Sequence, residues 1–297
     1  MNCGCEYTSF PRFRAIGRYS RYDHSVGVGR IVYEHTLDAR QAIAGLLHDV
    51  ATPVFAHVID FMRGDHMKQE STEDRTLEII SSDVSLVDVL RRLGLSPLDV
   101  SDYHLFPIAD NDTPRLSADR LEYTLGNGVL YGFASSDEVA QMYSDIVSGV
   151  NEFGEPELMF RDLDVASKFA FMSLSCSKIY VSDADRYAMQ ILAELMAKYI
   201  GSGVLSESDL WTTEPRVIDK ITSSGSDGSR DWSAYCSLHQ IRVGGEPDPS
   251  SRTIDAKKRH INPYVQGRGR VTALSDAYAT ALSAYLSTSF SYPVSAE

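Results

Sequence analysis

The stretch Ala44-Gly45-Leu46-Leu47-His48-Asp49-Val50 decides how the chain is read. An adjacent imidazole and carboxylate close a run of apolar and small residues that reads as a buried helix. Polar and charged groups in a core need compensation. A divalent metal compensates both at once, taking a neutral imidazole nitrogen and an anionic carboxylate oxygen. A hydrogen-bonded His-Asp pair without metal is the other reading, and the dipeptide alone does not separate the two. Upstream, Arg21-Tyr22-Asp23-His24-Ser25-Val26-Gly27-Val28 opens an apolar helix running to about Thr36, with His24 near its start. Downstream, Pro53 ends or kinks the His48-Asp49 helix, because proline cannot continue the hydrogen-bond ladder. Val54 to Phe61 resumes a helical apolar pattern, in which His57 and Asp60 are three apart and share a face. Gly64 breaks the chain again, and a helix starting near Asp65 would turn His66 and Glu70 the same way.

Further along, Thr76 to Leu95 carries apolar residues at helical spacing, divided near Ser81-Ser82-Asp83. Residues 99–116 read as loop. Leu116 to Tyr123 reads as a helix with Asp119 inside an apolar face, ended by Gly126-Asn127-Gly128. Residues 136–150 and 162–200 read as long helices. Within the second, Asp183-Ala184-Asp185-Arg186 echoes Ala118-Asp119-Arg120, by chance or as a helix-face ion pair, since no histidine accompanies it. Gly201-Ser202-Gly203 marks a boundary, so a helical core over 1–200 and an accessory region over 201–297 are expected. Thr222 to Asp231 reads as a flexible loop, Ala234 to Val243 and, less cleanly, Ile254 to Val265 as strands, and 271–287 as an alanine-rich helix. The class is mostly α, with a few strands in a small C-terminal segment.

Composition narrows the function. Among 297 residues, 41 acidic side chains outweigh 28 basic ones, for a net charge of -13. That balance disfavours a long nucleic acid as partner, since phosphate backbones demand clustered Lys and Arg. It leaves room for a local basic pocket that takes a small anion. No run of 18 apolar residues suggests a membrane span, and Met1-Asn2-Cys3-Gly4-Cys5-Glu6 does not read as a secretory signal. Cys3, Cys5, Cys176 and Cys236 are too few and scattered for a disulfide scaffold, and the C-x-C of Cys3 and Cys5 is a weak metal signal. A cytoplasmic protein with reduced thiols is expected. Two basic segments stand out in the acidic chain. One runs from Phe10-Pro11-Arg12-Phe13-Arg14 to Arg21; the other is Lys257-Lys258-Arg259-His260 with Arg268 and Arg270.

His24 at a helix start, His48-Asp49 at a helix end and Asp119 on an apolar helix face follow an order that resembles the HD-domain phosphohydrolase superfamily. The segments Arg21 to Val28, Ala44 to Asp49 and Pro53-Val54-Phe55-Ala56-His57 are similar to the deoxynucleoside triphosphate triphosphohydrolase branch, and Phe10 to Arg14 resembles its lead-in. The likeness covers roughly residues 7–125 well and 200–222 loosely. It implies an HD-domain helical core in which His24, His48, Asp49 and Asp119 hold one divalent transition metal, with Mn, Fe, Co, Ni and Zn all suited to nitrogen and carboxylate donors. It also implies hydrolysis of a nucleotide or similar small phosphate ester.

On that resemblance Asp49 both ligates metal and orients water, while Glu70 with His57 or His66 carries protons. Arg21 is the phosphate-contacting arginine, because guanidinium groups bind phosphate bidentately. Lys257, Lys258 and Arg259 would add phosphate contacts from a lid or from a neighbouring subunit of a homo-oligomer; their plainer reading is a solvated charge run. The chain departs from the branch at two places. Ala51-Thr52 stands where the branch has Gly-His, and Gln69-Glu70 where it has His-Glu. These replacements keep a second function open, a degenerate HD protein that binds metal and nucleotide as a regulatory module.

Overall fold

A computed structural model describes residues 3–14, 19–67, 75–245 and 248–297. The first helices are α1 (Pro11–Arg14), α2 (Arg21–Thr36), α3 (Ala39–Leu47) and α4 (Val58–Arg63). Helix α2 starts where it does because Ser20 and Asp23 form a reciprocal capping box, and Asp38 caps α3 from its carboxylate. The two helices pack closely, and small residues permit it. A Cβ on Gly29 would sit 3.0 Å from Leu46 Cβ, and one on Gly45 3.0 Å from Val32.

The next elements are α5 (Thr76–Ser82), α6 (Val84–Arg92), α7 (Ala118–Leu130) and α8 (Ser136–Ser144), then strands β1 (Ile146–Val150) and β2 (Pro156–Phe160). Here the helix expected over 136–150 stops early, at Ser144. The β-branched run Ile146-Val147, followed by Ser148-Gly149-Val150, pairs with β2 in an antiparallel hairpin, turned at Gly154 with φ of 81°. The expected long helix over 162–200 is two helices, α9 (Leu163–Tyr180) and α10 (Asp183–Gly201), because Ser182 adopts an extended conformation and caps the second. The Asp183-Arg186 echo is a helix-face ion pair.

Helices α11 (Glu214–Thr222) and α12 (Ser226–Ser237) follow. Helix α12 replaces the loop expected over 222–231 and the first part of the strand expected over 234–243. Its polar composition hides a buried face of Gly228, Trp232 and Tyr235 at helical spacing, and a Cβ on Gly228 would collide with the Ile221 carbonyl. The chain closes with β3 (Ile241–Val243), β4 (Tyr264–Val265), β5 (Gly269–Arg270), α13 (Val271–Leu274), α14 (Asp276–Leu286) and β6 (Val294–Ala296). Strands β1-β2-β4-β5 form one small sheet, with β2 and β4 parallel, and β3 pairs antiparallel with β6. The architecture is mostly α. Its strands are few and short, but the longest two lie at 146–160 rather than beyond residue 230.

Two apolar clusters organise these elements. One gathers α2, α3, α7, α9, the hairpin and residues from Ile261 to Phe290. The other gathers Cys5, Phe10, Phe13, the Val54–Phe61 segment, α10, α11, α12 and Ile254. Residues beyond 201 therefore contribute to both clusters, and the sequence boundary at Gly201-Ser202-Gly203 separates neither. The extended segment 251–263 crosses from one to the other. Arg186, fully buried in α10, donates to the Ile254 carbonyl at its start, and Asn262 N donates to Pro114 O near its end.

Asp185, in the first turn of α10, is buried with the Cys5 thiol 3.7 Å from its Oδ1. Burial pushes this carboxyl up to about 8, against partial relief from Cys5 and Arg186. A folded-state value above the unfolded one means that the native state keeps the proton longer. The associated stability is complete below about pH 4 and is lost as pH rises toward about 8. Urea denaturation between pH 5 and 8 should show a decline of about 1 kcal/mol per pH unit from this group, flattened in Asp185→Asn. Parallel curves for the two proteins would refute the assignment.

Candidate metal centre

Helix α2 projects His24 inward one turn after its capping box begins, and His48 sits at the C-terminal cap of α3. The close packing of the two helices leaves the two Nε2 atoms 3.2 Å apart. Helix α7, capped by Ser117, adds Asp119, whose Oδ1 lies 3.1 Å from His24 Nε2 and 3.6 Å from His48 Nε2. Asp49 completes the group, with Oδ2 3.9 Å from His24 Nε2 and Oδ1 3.7 Å from His48 Nε2. Two donors on one ion, each at about 2.0–2.2 Å, lie roughly 3.0–3.4 Å apart at ordinary coordination angles. The His24–His48 and His24–Asp119 separations match that spacing, while the His48–Asp119 distance and both Asp49 distances are longer, at 3.6–3.9 Å.

The outer ring nitrogens decide what the centre can hold. His24 Nδ1 faces Glu122 Oε2 at 2.5 Å, and His48 Nδ1 faces the Gly45 carbonyl at 2.7 Å. Both partners only accept, so each Nδ1 carries its proton and, in neutral rings, two Nε2 lone pairs point at each other. Lone pairs at 3.2 Å repel unless positive charge sits between them. Burial opposes charge on His24, yet its hydrogen bonds to Asp119 and Glu122 outweigh it and lift the imidazole to about 10. His48 shifts upward for the same kind of reason, burial being outweighed by Asp119 and Asp49. Asp119 is held well below the usual carboxylate range, its burial outweighed by hydrogen bonds from both histidines. The site thus calls for a cation, and its two imidazoles and two carboxylates suit a divalent transition metal. Both histidines are buried, while Asp49 and Asp119 are partly exposed and leave a side open to solvent.

Around the centre, Thr52 donates to Asp49 Oδ1 at 2.9 Å and steadies the carboxylate. Arg21 Nη1 donates to the carbonyls of Thr52 and Pro53, at 3.0 and 3.2 Å. It therefore braces the turn after Asp49. The helix expected to resume at Val54 begins only at Val58. Phe55 and Ala56 adopt positive φ of 59° and 47°, because the chain turns to bury the Phe55 ring near Tyr7 and Trp232. That turn presents His57, whose Nδ1 pairs with the fully buried Asp60 at 2.9 Å. Its Nε2 lies 3.4 Å from Arg259 Nη2 and accepts from it, since arginine only donates. Burial lowers the pKa of His57 in spite of Asp60.

His66 follows α4 in a turn rather than a helix and stacks on Phe61 at 4.5 Å. Lys258 donates to the Leu286 carbonyl at the end of α14, beside an open cavity of about 430 Å³ that also includes Met67 and Phe290. Lys257 is exposed on the crossing segment. Arg270 is committed to the sheet, pairing with Glu152 and the buried Glu157. Gln69 and Glu70 lie outside the described residues. Arg120 does not neutralise its neighbour Asp119; it pairs with Asp110 and Asn111. Sequence reasoning missed Glu122 and Tyr19, which form a hydrogen-bonded pair behind His24. The signal was there in Asp119-x-x-Glu122, two carboxylates on one helix face.

Among the described residues, His24, His48 and Asp49 place one donor atom each within 4.8 Å of one another, a group that could hold a metal ion, and Asp119 lies beside both histidines. No family model matches the chain. The chain is 27% identical over 209 residues to the uncharacterized protein YdhJ of Bacillus subtilis, across 69% of this chain and 62% of that protein. It is 30% identical over 263 residues to the metal-dependent phosphohydrolase cns2 of Cordyceps militaris, across 85% of this chain and 72% of that protein. The chain belongs to the metal-dependent phosphohydrolases. It spans less than two thirds of the length of YdhJ. Among the described residues, no helix is long and apolar enough to cross a membrane.

Proposed function

We propose that the chain is an HD-domain phosphohydrolase that cleaves a small phosphate ester, with a nucleotide as the substrate class. The observation that carries this reading is the pair of imidazole Nε2 atoms 3.2 Å apart with Asp49 and Asp119 around them. The likeness of the Arg21–Val28 and Ala44–His57 motifs to the triphosphohydrolase branch supports a nucleotide, and the net charge of -13 argues against a polymer.

His24, His48, Asp49 and Asp119 would hold a divalent ion, which would supply Lewis acidity to phosphoryl oxygens and to water. The chain supplies the rest. Asp49, steadied by Thr52, orients the attacking water. Arg259 meets the phosphate beside His57, with Arg21 at the neighbouring turn and Lys257 and Lys258 adding positive potential along the crossing segment. Once Arg259 turns to the phosphate, His57, held neutral by burial and pinned through Nδ1 by Asp60, has Nε2 free to take a proton from the attacking water and return it to the leaving oxygen. Glu70 and His66 are retained as further proton carriers.

The test is phosphate release by protein reconstituted separately with Mn, Fe, Co, Ni or Zn. The panel is nucleoside mono-, di- and triphosphates, cyclic nucleotides and a generic phosphoester. Turnover of a nucleotide is expected. Tight binding of one without release from any would favour the regulatory module instead. With a substrate in hand, Arg259→Ala should raise KM by about 10–100-fold, the range for a lost charged hydrogen bond, while metal content is unchanged. An unaltered KM would remove Arg259 from the phosphate site.

A further inference from the structure

We infer that Glu122 and Tyr19 are positioning residues that set the tautomer of His24 and thereby the metal affinity of the centre; this rests on the metal-centre reading above. Glu122 Oε2 receives two hydrogen bonds at once, from His24 Nδ1 at 2.5 Å and from the Tyr19 hydroxyl. A carboxylate that holds one imidazole nitrogen protonated leaves the other as a lone-pair donor and enriches it. His48 is oriented by a backbone carbonyl, which no substitution of its own residue removes. His24 is oriented by a side chain, so its half of the centre is adjustable.

The packing is shaped for this chain of bonds. Glu122 lies across Gly27 of α2, where an added Cβ would fall 2.6 Å from both Cγ and Oε1. Tyr19 lies across Gly126 of α7, where an added Cβ would fall 2.9 Å from its hydroxyl oxygen. Two helices that face each other thus each carry a glycine where a side chain between them needs room. Neither is a backbone requirement, because both residues sit in helix interiors and neither has positive φ. Glycine costs roughly 1 kcal/mol against alanine in a helix interior. Its presence at both places is explained by the space that Glu122 and Tyr19 occupy.

The test measures metal binding directly, by competition with a chromogenic chelator, for Co(II) added to metal-free protein. Wild type, Glu122→Gln, Tyr19→Phe and Gly27→Ala are compared, with helicity and melting temperature as controls. Glu122→Gln should weaken Co(II) binding about 10–100-fold, the range for an outer partner of a metal-bound histidine. Tyr19→Phe should weaken it less. Gly27→Ala should keep wild-type helicity yet bind Co(II) more weakly, because the added methyl displaces Glu122. In each weakened variant the visible spectrum of bound Co(II) should shift, as a merely structural loss would not require. Equal affinities in all four folded proteins would overturn the inference while leaving the metal centre standing. No Co(II) binding by wild type would overturn both.

Discussion

Asp49→Ala is expected to leave a folded protein that retains almost no metal and releases no phosphate. Asp49 is about a quarter exposed, and its side chain serves the centre and one hydrogen bond from Thr52 rather than either apolar cluster. Helicity and melting temperature of the metal-free protein should therefore stay near wild type. Removing the carboxylate leaves two imidazoles and Asp119, with one negative charge fewer to hold a divalent ion. Turnover should fall by about a thousandfold or more, since the Lewis acid is lost along with the group that orients water. The check is metal content by elemental analysis beside phosphate release at saturating metal. A variant that keeps full metal and full turnover would remove Asp49 from the centre.

Arg186→Met should cost about 3–5 kcal/mol of stability, the range for breaking a buried charged network. For a chain of this size that is a fall of roughly 6–20 °C in melting temperature. Arg186 is fully buried. Its guanidinium serves the carbonyls of Val181 and Ile254 and the Asp183 carboxylate, and lies 4.5 Å from the centre of the Phe290 ring. Methionine fills much of the volume but leaves those oxygens without their donor. The consequence reaches the site, because Ile254 begins the segment that carries Arg259 to His57. A variant that still folds should show a raised KM as well as a lowered melting temperature. A loss of stability with unchanged KM would mean that Arg259 is placed without help from the Ile254 anchor.

By itself the sequence determined the helical class and the chemistry of the donors, because both are local. Periodicity, Ser and Asp caps, and the order His24, His48-Asp49, Asp119 are written in neighbouring residues, and so was the His57-Asp60 pair at helical spacing. Where local signals competed, the sequence misled: Ile146 to Val150 became a strand by pairing with Pro156 to Phe160, and the Ser- and Gly-rich stretch after Thr222 became α12 by packing Gly228, Trp232 and Tyr235. Only the tertiary structure decided that Arg120 turns away from Asp119 to Asp110, that Glu122 and Tyr19 stand behind His24, and that Arg259 reaches His57. Each of those depends on how separate elements approach one another. His57 and Arg259 are 202 residues apart, and no local pattern encodes a distance of 3.4 Å between them.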